Sequence, residues 1–261
     1  MTLYIHEWKQ NYKGLLIWAI SVASIILVCM MLYPQMKNEA GAVGEMFAQM
    51  GGFSAAFGMD QVDMGDALGF FSVDCGNILL LGSAMFSALL GIGMLSKEED
   101  AHTAEFLLTH PISRYNVILQ KLVAVHTMIV LFVLINFVMT IIAFLCIGET
   151  ICWKELAMIF FADLLLALEI ASVCYAFSAS LKTVSVGIGI GSTILLYFFN
   201  LYGNIDRNAK WTQYVTPFAY ADTSKIVVEG ALDIKLLYVG MFVLLCGTVI
   251  AFFCYAKKDI A

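Results

Sequence analysis

SKEEDAHTAEFLLTHPISRYNVILQK, residues 96–121, decides how the rest of the chain is read. It is a dense polar block between long apolar runs, with an apolar cluster, Phe106-Leu107-Leu108, inside it. Ser96 followed by Glu99 has the spacing of a capping box. Glu98, Glu99 and Asp100 then fall in a first turn, where the helix dipole favours negative charge. The pattern predicts a helix from Lys97 to Thr109, stopped by Pro111, which lacks an N–H and restricts the residue before it. Ser113 is placed to cap a second helix that starts at Arg114 and runs into the next apolar stretch. The elbow between them exposes Phe106, Leu107, Leu108 and Ile112. Two accounts fit these residues. They lie against the bilayer interface as an amphipathic turn, or they plug a cleft on another protein, with Glu98, Glu99, Glu105 and Arg114 as a polar rim.

Composition sets the context for that block. Of 261 residues, 61% are hydrophobic and only 13% charged, with mean hydropathy +0.88. Soluble domains average roughly 45–50% apolar and about 25% charged, so the chain belongs to the membrane class. A net charge of −6 gives no basic face for nucleic acid. Six runs approach the ~20 apolar residues a spanning helix needs. They are 15–34, 75–95, 122–147, 156–180, 184–203 and 236–256. The first has too long an apolar core for a cleavable signal peptide. The fold class is therefore an all-α membrane protein, one transmembrane domain over 1–261.

Six spans place both termini on one side. Lys9, Lys13, Lys97, Arg114, Lys121, Lys182, Lys257 and Lys258 share that side with the 96–121 loop. Lys37, Lys154, Arg207, Lys210, Lys225 and Lys235 fall on the other, spread over longer loops. The positive-inside rule puts both termini and the loop in the cytosol.

Several shorter signals complete the reading. Tyr4, Trp8 and Tyr12 form an aromatic stripe, which predicts an interfacial helix over residues 1–14. The 35–73 segment, rich in Met, Gly and acids, reads as a lid or as a solvated linker. Trp211–Ala221 is too short to span and too apolar for a free loop, so re-entrant or interfacial packing is expected before the sixth span. Asp163 and Glu169 lie inside the fourth span. Ionised groups there are expensive, so they line a path or dimer seam, or tie helices together. About 120° separates them on the helix, which argues against one shared site. Ser172 offers Glu169 a hydrogen bond. Ser83, Ser87 and Gly91, and separately Gly187 and Gly191, suit close helix packing. The seven cysteines read as small buried hydrophobes. No His/Cys spacing suggests a metal.

The string E-E-x-x-x-T-x-E-x-L-L-x-x-P-I-S-R, ending in Lys121, resembles the coupling segment of ABC-2 type permeases, which lies between the second and third of six spans. The matching residues are Glu98, Glu99, Thr103, Glu105, Leu107, Leu108, Pro111, Ile112, Ser113, Arg114 and Lys121. Glu7-Trp8-Lys9 and Thr216-Pro217-Phe218 are similar to the same family in weaker ways. His102 departs from it, since the family commonly has glycine there. The resemblance implies a cytosolic coupling helix between spans 2 and 3. It implies a permease subunit of a bacterial plasma-membrane exporter, not itself an enzyme. Two ABC ATPase subunits per complex would carry the ATP and Mg, and a second permease copy or paralogue would complete the dimer. The exported substrate is unknown, and the modest outer loops lean towards a peptide or small amphipath. No Gly-Lys dipeptide exists in the chain, so it has no P-loop. The alternative is an ion-coupled secondary transporter using Asp163 and Glu169.

Overall fold

The computed structural model describes residues 2–38, 44, 46, 49–102 and 113–258. These are helical, with no strand among them. The long helices are α1 (Thr2–Asn38), α4 (Gly76–Gly93), α6 (Arg114–Ile147), α7 (Trp153–Ser180), α8 (Val186–Ile205) and α10 (Ile234–Lys257). The short ones are α2 (Gly52–Phe57), α3 (Ala67–Phe70), α5 (Lys97–Asp100) and α9 (Thr223–Glu229). A π-helical turn, Phe71–Cys75, joins α3 to α4. Six helical segments are long and apolar enough to cross a membrane, Ala67–Gly93 counting as one.

α4 and α7 form the centre. Within their most apolar windows 67% and 61% of residues are buried, against 22% in α8 and in α10. α7 packs along both α4 and α10, α1 packs along α6, and α8 rests on α4. The close approach of α4 to α7 explains Gly91: a Cβ there would sit 2.6 Å from the Ala171 carbonyl oxygen and 2.9 Å from Cys174 Cβ. Ser83 and Ser87 lie on the same buried face. The second glycine pair behaves differently. Gly187 and Gly191 have open space around them, and a Cβ on Gly189 between them would lie 3.2 Å from Ile92 Cγ2. Two residues along a helix is a turn of about 200°, so α8 presents the opposite edge of the glycine run to α4.

The N-terminus also departs from expectation. Residues 2–14 are the first turns of α1, a single helix of 37 residues, about 55 Å long. Two members of the aromatic stripe contact a neighbouring helix. The Tyr4 hydroxyl and the Trp8 indole N–H both donate to Thr127 Oγ1 of α6, at 3.3 and 3.2 Å. Nothing in residues 2–14 breaks the helix; Tyr4 and Trp8 are half-buried, while Tyr12 is exposed.

Within 35–73, residues 67–73 are buried, while Met46, Met50 and Phe53 are exposed. Tyr33 Oη donates to the Gly65 carbonyl at 2.7 Å, Asp66 caps α3, and Met64 is buried. Before α10 the chain makes two 3-10 turns, Arg207–Tyr214 and Pro217–Ala219. Phe218, Ala219, Tyr220 and Ala221 are buried while Trp211 and Tyr214 are exposed, which matches the apolar character of that stretch. Only Cys75 and Cys174 of the seven cysteines are buried, and all seven are free. Of the others Cys146 is exposed and the rest are half-buried, Cys29, Cys152 and Cys254 against the core.

Candidate functional site

The 96–121 loop starts differently from its capping-box pattern. Ser96 is itself helical in backbone and its side chain caps nothing. Its hydroxyl donates back to the Ile92 carbonyl at 3.1 Å. The free N–H groups of Leu95 and Ser96 are met from another helix, by Ser178 Oγ of α7 at 2.9 and 3.0 Å. The expected helix to Thr109 stops at Asp100. His102 then adopts φ +54, the left-handed region that glycine enters freely and other residues pay to enter. That accounts for a glycine preference at this position. Residues 103–112 lie outside the described residues, and with them Thr103, Glu105, Phe106, Leu107, Leu108, Pro111 and Ile112. After them Ser113 caps α6 as expected, its hydroxyl oxygen accepting from Asn116 N at 3.3 Å.

The two ends of that segment are wired into the bundle. Lys121 is fully buried one turn inside the apolar part of α6. A buried ammonium must satisfy three N–H groups. Lys121 contacts Glu98 Oε1, donates to the Met94 carbonyl at 2.6 Å, and pairs with Glu7 Oε1 at 3.3 Å. Glu7, also fully buried, pairs through its other oxygen with Lys97, which in turn reaches Gln10 at 2.7 Å. Two acids and two cations from α1, α5 and α6 therefore close a neutral cluster in a desolvated position. A second set holds the C-terminus of α10. Arg114 donates to the carbonyls of Lys258 and Ala256 at 2.7 and 3.4 Å. Lys258 Nζ pairs with Glu99 at 2.7 Å and donates to the Leu181 carbonyl just past α7.

The described members of the expected rim, Glu98, Glu99 and Arg114, contact the protein's own helices, with side chains of Glu98 and Glu99 only 15% and 9% exposed. The sequence reading missed Glu7 and Lys121 as a pair. The hint was local: a lysine within VILQKLVAV and an acid within an aromatic stripe, both in settings that penalise lone charges.

The two acids of α7 separate as their helix angle requires. Asp163 is fully buried and accepts from Ser83 Oγ of α4 at 2.9 Å. It lines none of the cavities described here, and its geometry is that of a tie between helices. Glu169 accepts from Tyr220 Oη at 2.8 Å. Ser172 serves a different group, donating to the Glu169 backbone carbonyl at 2.8 Å. Burial and the neighbouring carboxylate hold the Tyr220 hydroxyl well above the usual phenol value, so it stays the donor. Gly240 makes room for the pair, because a Cβ there would lie 2.6 Å from Glu169 Oε2. Glu169 also lines an apolar cavity of about 210 Å³ with Val173, Ser192, Leu196 and Val243. Tyr220 lines a polar cavity of about 460 Å³ at the opposite end from the loop, with Asp60, Asn204, Asp222 and Lys225. Their hydrogen bond stands between the two. No group of three or more His, Cys, Asp or Glu side chains among the described residues is placed to hold a metal ion.

Among the described residues, six helices long and apolar enough to span and ion pairs tying Lys97, Glu98 and Glu99 to the bundle define a multi-pass helical membrane protein. Residues 1–256 match the family described as ABC-2 family transporter protein, and the chain belongs to that family. It is a membrane permease subunit of an ABC transporter. It is also 22% identical over 225 residues to the uncharacterized protein YhcI of Bacillus subtilis (strain 168), a match covering 76% of this chain and 71% of that protein.

Proposed function

We propose that the chain couples ATP hydrolysis on a separate subunit to export of cargo across a bacterial plasma membrane. In this reading both termini and residues 96–121 face the cytosol. Two ATPase subunits carry ATP and Mg, and a second permease copy or a paralogue completes the path. Thr103, Glu105, Phe106, Leu107, Leu108, Pro111 and Ile112 dock on the ATPase, with the apolar members at the centre of the contact. Glu98, Glu99 and Arg114 transmit rather than dock.

The observation that carries the proposal is the cluster Glu7–Lys97–Glu98–Lys121. A displacement of segment 103–112 cannot be absorbed at its ends, because those ends are tied by buried ion pairs to α1 and α6 and by Lys258 to α10. Moving the segment therefore moves helices. Alternating access needs each state to bind cargo differently, and the Glu169–Tyr220 link between the two cavities is where such a difference would be read. The modest outer loops favour a peptide or small amphipath as cargo.

Co-purification with an ATPase tests the docking. Wild type should retain the ATPase and support ATP-dependent transport in proteoliposomes. Glu105→Lys and Phe106→Ala should lose both while keeping the wild-type melting curve. Intact assembly and transport in these variants would end the proposal.

A further inference from the structure

The π-helical turn at Phe71–Cys75 has no role in the coupling just described. In it the Gly76 N–H donates to the Phe71 carbonyl five residues back. Such turns leave a carbonyl unpaired, and here the Ser72 carbonyl is taken by Thr223 Oγ1 of α9. Gly76 is needed because a Cβ would collide with that same threonine. Isolated π turns inside helices are frequent at functional sites. This one projects Asp74.

Asp74 lines a cavity of about 300 Å³ whose walls include Phe53, Phe57, Met59 and Tyr197. Its Oδ2 is buried and makes no hydrogen bond among the described residues, and no lysine or arginine among them pairs with it. The other polar group beside it is already used: Asn77 Nδ2 donates to the Val73 carbonyl at 2.7 Å, and Asn77 Oδ1 accepts from Tyr197 Oη at 3.2 Å. A buried carboxylate oxygen without a partner is costly. Phe53, Phe57 and Tyr197 line the same cavity as the carboxylate, and an acid with aromatic neighbours favours a cation held by charge and by ring quadrupoles. A metal ion fits poorly, since hard cations take about six or more oxygen ligands. The volume is near the lower end of ligand sites, about 300–1,000 Å³, which suits a head group.

We propose that Asp74, Phe53, Phe57 and Tyr197 form a binding site for an organic ammonium ion, a quaternary ammonium or an alkylamine head group. The site faces the end of the bundle opposite the charged loop. It stands independently of the coupling mechanism, because binding there requires no ATPase. The ammonium belongs either to a soluble cation or to the head group of an amine lipid.

The test is binding of radiolabelled tetraethylammonium to the full chain in dodecyl maltoside, read by scintillation proximity. Wild type should bind saturably. Asp74→Asn should weaken binding roughly tenfold or more, the size of a charge-assisted contact. Phe57→Leu, which keeps the carboxylate, should weaken it about 2- to 10-fold. A neutral isostere with carbon in place of the ammonium nitrogen should not compete. Displacement of the probe by phosphatidylcholine, and not by phosphatidylglycerol, supports the site with lipid as occupant. Displacement by neither supports it with a soluble cation as occupant. The proposal is overturned if wild type shows no saturable binding, if Asp74→Asn and Phe57→Leu both bind as wild type does, or if the neutral isostere competes equally.

Discussion

Replacing Lys121 by methionine tests the central cluster most directly. Methionine keeps most of the volume and removes only the charge and its three donors. At 3.3 Å from Glu7, the gross attraction is about 5 kcal/mol at an effective dielectric of 20. Desolvation offsets much of that, so the net worth of the cluster is smaller. Breaking it is the costly event. Glu7 and Glu98 would share one remaining cation, Lys97, with Glu7 fully buried. Removing one partner from a buried ion pair typically costs about 3–5 kcal/mol. For a chain this size that corresponds to a fall in melting temperature of roughly 10 °C. Thermal unfolding in detergent, followed by tryptophan fluorescence, measures it, and Trp8 reports the α1–α6 contact itself. Adding Glu7→Gln to Lys121→Met removes the excess charge and should recover about 1–3 kcal/mol. A control is Lys37→Met, whose pair with Glu149 is solvent-exposed and should leave the melting curve unchanged. If the Lys121 and Glu7 substitutions add to within about 0.5 kcal/mol, the two residues do not interact and the reasoning fails.

Three further outcomes follow from the geometry. His102→Gly should stabilise the chain by up to about 1 kcal/mol, because glycine adopts φ +54 without steric cost; a loss in melting temperature would contradict the backbone assignment. Gly91→Ala should destabilise by about 1–3 kcal/mol, since the new Cβ meets backbone. Gly191→Ala, placed in open space, should be neutral or stabilising, and equal effects of the two changes would refute the packing described. Tyr220→Phe should cost about 1–3 kcal/mol by leaving Glu169 without its donor. Glu169→Gln in that background should restore stability, which thermal unfolding would show.

Much of the architecture was legible in the amino-acid order. An apolar run of about 20 residues can satisfy its backbone in lipid only as a helix, so six runs mean six spanning helices with little dependence on neighbours. Ser113 was equally readable, because a cap depends on residues within one turn. Ser96 had the same local signature and did not cap. Its N–H groups are met by Ser178, more than 80 positions away, and no pattern inside the loop encodes that. The aromatic stripe of α1 was correct as a stripe, but its partner could be lipid or protein. Thr127 on α6 takes Tyr4 and Trp8, and Tyr12 stays exposed.

The same division holds for charge. From sequence, Glu98, Glu99 and Arg114 belonged to an exposed rim, and Glu7 and Lys121 were isolated features. The sequence by itself determined that these groups are too costly to leave unpaired near lipid. Only the packing of α1, α5, α6 and α10 decided which acid meets which cation, because pairing across 23 to 159 residues is set by helix order and rotation rather than by spacing. Asp74 marks the far limit of that rule. Its place in a π turn depends on Thr223 pressing against Gly76, a contact between distant parts of the chain that a helix-period reading has no means to anticipate.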